Sequence, residues 1–253
     1  MSKPIKTVVL FSGGKESMLA ACKCAAEHRQ VTPLSCQPGT LRGENALAWA
    51  AERLQGRFGQ NLIQPAEIVT SSSTKARIAS TWTQTSWGSL GNCYPNLTNC
   101  QIQCLHCQTA MWVCAIAYAK AKNIKNIAAG YKATDDFCTG MKPYADYMAK
   151  LAGRFAIHID LPVWDLKDED RDTQLEWYGL SPAILEPSCV IGEPPRTPMS
   201  NAAEHELMLY LDNEIGLERL MSYTNLLIPA YKTIKTGHTP ENMYKTKPNF
   251  GDA

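Results

Sequence analysis

The apolar and polar positions follow two periods that alternate along the chain. Residues 6–11 (KTVVLF) form a short β-branched run with a Gly-Gly pair after it, which predicts a buried strand. Residues 15–26 carry Met18, Leu19, Cys22, Ala25 and Ala26 at helical spacing, so a helix follows at once. Residues 31–36 predict a second strand. An Ala-rich helix over 44–58 has Leu47, Ala50 and Leu54 on one stripe, and 66–69 predict a third strand. Residues 70–100 are rich in Ser, Thr, Trp and Asn with weak periodicity, and predict loop or short helix. A strong helix is expected over 108–122, a strand ending in glycine over 126–130, a helix over 144–155 and a strand over 156–163 closed by Pro162. The alternation predicts an α/β fold with a mainly parallel, Rossmann-like sheet flanked by helices. Such sheets bind ligands at the carboxyl ends of their strands.

After Asp165 the texture changes. A polar helix (167–177), a Pro-rich loop (181–198), a helical region (201–221) and a Lys-bearing tail (231–253) are expected. The division is a first domain over 1–165, with a cysteine-rich segment inserted at 93–107, and a small helical appendage over 166–253. No internal repeat or low-complexity tract is present.

Composition narrows the class. At 253 residues and 45% hydrophobic the chain can bury a core, and 25 basic against 24 acidic residues leave a net charge of +1. Bulk charge therefore does not hold this protein to nucleic acid, although a local basic patch is compatible with it. The longest apolar stretch, 111–119, is far short of the ~20 residues that cross a bilayer. The start lacks the apolar region and cleavage site of a secretory signal, so the expectation is a soluble, cytoplasmic protein with no membrane partner. In a reducing compartment the ten cysteines point to metal or catalysis rather than disulfides. Six of them, Cys22, Cys24, Cys36, Cys93, Cys114 and Cys138, read as small buried hydrophobes. Cys100, Cys104, Cys107 and Cys189 are set apart from these.

The chemistry starts at Phe11-Ser12-Gly13-Gly14-Lys15-Glu16-Ser17, between the first strand and the first helix. Two glycines let the backbone turn close to a ligand. The helix start offers free N–H groups and the positive end of its dipole to an anion. Ser12 and Ser17 add hydroxyls and Lys15 a charge. This is not a Walker A loop: Lys15 is followed by Glu16 and no glycine lies five positions before Gly14.

Ser12-Gly13-Gly14-Lys15-Glu16-Ser17 resembles the Ser-Gly-Gly-x-Asp-Ser signature of the PP-loop ATP pyrophosphatase superfamily, with Glu16 where Asp is usual. Residues 127–132 (IAAGYK) followed by Asp135-Asp136 resemble the later strand of these proteins, with Tyr131 where His is common. The two segments cover roughly the first 165 residues. The resemblance implies ATP, with Mg²⁺, cleaved between the α and β phosphates to give an adenylylated substrate and pyrophosphate. It places the nucleotide against residues 11–17, Cys36, Gly130 and Asp135. Asp135 and Asp136 read equally as Mg²⁺ contacts and as helix caps.

Cys93-x6-Cys100-x3-Cys104-x2-Cys107 is dense, and the last pair stands at the expected start of the 108–122 helix, where a thiolate has a lowered pKa. The pattern is similar to the thiolating branch of the superfamily, which implies a [4Fe–4S] cluster on Cys104, Cys107 and Cys189 with one iron open to sulfide. A closed zinc site on the four clustered cysteines, a metal-free persulfide on Cys104 or Cys107 with Cys189 as resolving thiol, and simple burial are the alternatives. His106 is expected to face solvent or cap the helix. Lacking RNA-binding modules, the compact chain looks like the ATP pyrophosphatases of DNA phosphorothioation systems. That implies a cysteine desulfurase as sulfur donor and a nucleic-acid acceptor, DNA or tRNA, reached with partner proteins. A 7-cyano-7-deazaguanine synthase-like ligase and a non-catalytic ATP-sensing subunit are the competing readings. Trp82 and Trp87 could stack a base, and Lys232 and Lys235 could touch a phosphate backbone, but packing and a solvated tail are simpler.

Overall fold

The computed structural model describes residues 4–39, 41–42, 44–83, 93–183, 188–189 and 199–233. Strands β1 (Lys6–Leu10), β2 (Gln30–Gln37), β4 (Glu67–Thr70), β5 (Asn126–Ala129) and β6 (His158–Asp160) form one sheet in the order β4-β2-β1-β5-β6. Every pairing in it is parallel. A separate two-residue ladder pairs β3 (Leu41–Arg42) antiparallel with β7 (Ser188–Cys189). Parallel neighbours need crossovers, and the helices α1 (Lys15–Ala26), α2 (Glu44–Phe58), α3 (Ser72–Thr83), α4 (Asn99–Ala121), α5 (Lys142–Gly153) and α6 (Asp168–Trp177) lie among them. Two more helices, α7 (Asn201–Tyr210) and α8 (Leu217–Thr233), follow β7.

Period-two alternation divides β1 between two cores. Val8 and Leu10 join a cluster with α4, α5, α7 and α8, whereas Val9 and Phe11 join one with α1 and α2. The chain runs outward from β1 through β2 to β4, then returns to place β5 on the other side of β1. The order reverses between β1 and β5, and sheets of this kind bind ligands at the carboxyl ends of the strands at such a point. Both glycine-bearing segments leave the sheet there.

The α/β class and most elements agree with the sequence pattern, and three differences matter. Helix α3 occupies 72–83, where loop or short helix is expected. Helix α4 starts nine residues earlier than expected, at Asn99. Thr98 is its N-cap, and a reciprocal capping box with Gln101 fixes the start: the Gln101 amide donates to Thr98 Oγ1 and the Thr98 amide to Gln101 Oε1. Cys104 and Cys107 therefore lie inside the helix, and the helix-terminus argument for a lowered thiol pKa at that pair does not hold. Third, the 201–221 region is two helices, broken by a wide turn over 211–215. Residues from both, including Leu207, Tyr210, Leu220 and Tyr231, share the core of α4, where Tyr118 and Tyr231 pack ring against ring at 6.1 Å. Among the described residues no helix is long and apolar enough to cross a membrane.

Candidate functional site

The turn after β1 is built by hydroxyls and a glycine. Gly13 has φ +84°, a left-handed conformation that an L side chain rarely adopts. Ser12 Oγ accepts from the Gly14 amide at 3.2 Å and lies 3.2 Å from Ser17 Oγ, which donates to the Gly14 carbonyl at 2.9 Å. Gly14 caps α1 without a side chain, so the first-turn amides of α1 receive no side-chain acceptor from their own cap. Gly130, at the end of β5, is in close contact with this turn: a Cβ there would sit 2.6 Å from Glu16 C and Ser17 N. The two segments picked out from the sequence are thus pressed backbone to backbone. Phe11 is buried beneath them.

Charged side chains from three segments cover the turn. Lys15 Nζ pairs with Asp172 at 3.1 Å. Arg171 Nη1 donates to Glu16 at 2.7 Å and its Nε to Asp172 at 3.3 Å. Lys132, buried at 5% exposure, reaches Glu16 at 3.3 Å, Asp135 at 3.8 Å and Asp168. Its amide also donates to Asp135 Oδ2 at 3.2 Å. Burial pushes the Glu16 carboxyl up, but the Arg171 hydrogen bond and the charges of Lys132 and Arg171 outweigh it and hold Glu16 below its ordinary value. Asp135 goes the other way, because burial outweighs Lys132 and raises it. Burial lowers Lys132, but the Asp168 hydrogen bond and three carboxylates raise it above its usual value. Asp168, Arg171 and Asp172 were not singled out from the sequence; their i, i+3, i+4 spacing on a polar helix is the signal that they share a face.

Asp135 links this layer to sulfur. Half-buried Cys104 on α4 faces Cys138, in the short 3₁₀ turn Cys138–Gly140, and the Cys138 thiol donates a hydrogen bond to it. That bond holds the Cys104 thiol below its ordinary value and raises Cys138; Asp135 lies close enough to oppose the shift at Cys104. Cys107 is buried close by. Cys138, expected to be an ordinary core thiol, is the sulfur that the fold brings to Cys104, through a 34-residue separation that sequence spacing does not reveal. The Cys189 backbone pairs with Leu41, just beyond β2, but its side chain lies outside the described residues. Among the described residues no three His, Cys, Asp or Glu side chains gather as metal ligands. Cys93 is exposed and Cys100 half-buried, so the described thiols do not assemble a closed four-cysteine site.

The other expected positions resolve simply. Cys36 is buried at 1% exposure, and burial holds its thiol well above the usual range. Burial pushes Cys22 and Cys24 up to about 12. Tyr131 is buried, donates its hydroxyl to Gln108 Oε1 at 2.6 Å and meets Trp112 edge-on, which is no arrangement for a general base. His106 is not at the surface and caps nothing: it is fully buried on α4 with Nε2 2.8 Å from Tyr210 Oη, and burial lowers it to about 4. Asp136 is half-buried at the rim of a cavity of about 220 Å³ that Asp135, Met141, Met199 and Glu204 also line. The Trp82 side chain, Trp87, Lys235, Lys245 and Lys247 lie outside the described residues, and Lys232 is exposed at the end of α8.

No protein-family model and no curated protein matches the chain. Among solved structures it is similar to a predicted subunit of tRNA methyltransferase from Methanocaldococcus jannaschii, at 14% identity over 74% of this chain and 96% of that one, TM-score 0.44. It is also similar to NMN synthetase from Francisella tularensis, at 17% identity over 92% of this chain and 88% of that one, TM-score 0.47. At these scores neither assigns chemistry to this chain.

Proposed function

We propose that the chain binds ATP at the Ser12–Ser17 turn and cleaves it between the α and β phosphates, adenylylating an acceptor. One observation carries this reading: the turn after β1, Gly130 after β5 and a layer of lysine and arginine side chains converge at the point where the strand order reverses. The amides of the turn and of the first turn of α1 hold phosphate oxygens. Lys15 and Lys132 take up charge on the departing pyrophosphate. Glu16 and Asp135 are the carboxylates beside the turn. Their hard oxygens suit Mg²⁺, which needs only one or two protein carboxylates when phosphates complete its shell and which, when bound, neutralises phosphate charge.

The finer part of the proposal is sulfur transfer to a nucleic-acid acceptor, with a cysteine desulfurase as donor. It is supported by the resemblance of the motifs and by the lowered thiol of Cys104, which lies near enough to Asp135, a partner of Lys132, to feel its charge. The described donors favour Cys104 as a persulfide carrier. A cluster on Cys104, Cys107 and Cys189 requires the third thiolate to come to the other two. A second reading, ATP sensing without cleavage, is favoured by Tyr131, which leaves the site without a base at that position.

The test is the product. The full chain, prepared anaerobically and incubated with ATP and Mg²⁺ alongside a nucleic acid, a desulfurase with its cysteine substrate and a thiol reductant, is expected to release pyrophosphate and AMP. ADP and phosphate as products would overturn the assignment, and tight ATP binding without turnover would select the sensing reading. Metal and sulfide content of the same preparation separates a cluster from a persulfide.

A further inference from the structure

Helix α6 is attached unequally at its two ends. Leu175 is its buried residue and packs, with Leu180 just beyond the helix, in the core beneath α1 and α2. The first turn, Asp168-Glu169-Asp170, buries nothing; the N-terminal half meets the turn through ion pairs. In the two lysine pairs the cations lie inside and the carboxylates outside, whereas in Arg171–Glu16 the cation is on the helix and the carboxylate on the turn. The Lys132 side chain is 6% exposed against 66% for that of Asp168, and the Lys15 side chain 18% against 46% for that of Asp172. Both lysines next to the turn are thus engaged by carboxylates that water already reaches. Exposed carboxylates exchange cheaply, because an ion pair open to solvent adds little stability.

Resting on the ATP reading above, we infer that α6 is a displaceable cover of the phosphate turn: Asp168 and Asp172 hold the places on Lys132 and Lys15 that the phosphate oxygens of ATP take over. The buried Leu175 end is the pivot and the acidic end moves. Arg171 lies between the two aspartates on the same helix and leaves Glu16 as that end moves, while Lys15 and Lys132 stay on the turn side and keep the site positively charged. The carboxylates then act as competitors, and removing their charge strengthens ATP binding. If they were instead Mg²⁺ ligands or fixed supports of the turn, removing it would weaken binding.

The experiment is equilibrium titration of the full chain with ATP and Mg²⁺, comparing the unaltered protein with Asp168→Asn/Asp172→Asn. The expected result is about three- to tenfold tighter binding in the double variant, the scale of one or two exposed ion pairs. Equal or weaker binding in a folded double variant overturns the cover while leaving the ATP reading intact. No binding by the unaltered chain overturns the ATP reading, and the cover with it. If thermal unfolding shows that the double variant is not folded, Asp172→Asn alone decides. It removes one exposed carboxylate, and tighter binding supports the cover whereas unchanged or weaker binding refutes it.

Discussion

The phosphate turn and the thiol pocket lie side by side but are held by opposite means. Over the turn, seven charged side chains from three segments share one another, and most are half-exposed. In the pocket, Cys104 and Cys138 sit among Tyr131, Trp112 and Tyr144, fixed by burial and a few neutral hydrogen bonds. The outer pairs of the first arrangement, through Asp168 and Asp172, can exchange partners at small cost, because water and ions compete for them. The second cannot, because a buried polar group left unpaired costs its full desolvation penalty. A site that must accept and release a polyanion belongs with the first, and a sulfur nucleophile kept from water belongs with the second.

The seam between the two regions is the place to break the molecule most severely. Gly130→Ala drives a methyl group into the backbone of Glu16 and Ser17, and the expected loss is about 3 kcal/mol or more with the turn displaced. Denaturant unfolding reads it against Gly153→Ala on α5, where no atom lies within 4 Å and the change is expected to be neutral or slightly stabilising.

This seam also shows what was legible in the residues. Ser12–Ser17 and Gly130 could be read because their roles rest on backbone geometry and local order of strand, glycine and helix. The α4 start was missed because the hydroxyl–amide box at Thr98 and Gln101 is a local signal hidden in a polar stretch with weak periodicity. Cys138 and the α6 carboxylates were missed for a different reason. They reach the site only through tertiary packing, and nothing local distinguishes Cys138 from Cys114, which meets Thr74 on the same core face.

Burial on the thiol side predicts a pH dependence that the charged turn does not share. Burial lowers folded His106 from 6.5 to about 4, so the unfolded chain binds a proton that the folded chain refuses. Its stabilising contribution is complete above pH 6.5 and shrinks as pH falls toward 4, a loss on the order of 2–3 kcal/mol. Denaturant unfolding at stepped pH measures it, and His106→Gln should flatten the slope over that interval. Glu16, held below its ordinary 4.5, keeps its contribution above that pH and loses it as pH falls from there through its own lowered pKa.

A smaller effect tests the thiol pair. Cys138→Ala removes the donor that lowers Cys104, so alkylation of Cys104 near neutral pH should slow by roughly three- to tenfold, while Cys138→Ser, which keeps a donor, should recover most of the rate. Equal rates in all three proteins would remove Cys138 from the account. Smallest is the capping box. Thr98→Ala should cost about 1 kcal/mol in unfolding measurements and leave the phosphate turn untouched.

The central claim, that ATP seats on the turn between β1 and α1, is tested most directly by amide hydrogen exchange of the full chain with and without ATP and Mg²⁺. The account predicts slowed exchange at residues 13–18 and at 130–135, with the amides of α8 unchanged. Protection confined to other parts of the molecule, or none at ATP concentrations that saturate binding, would contradict it.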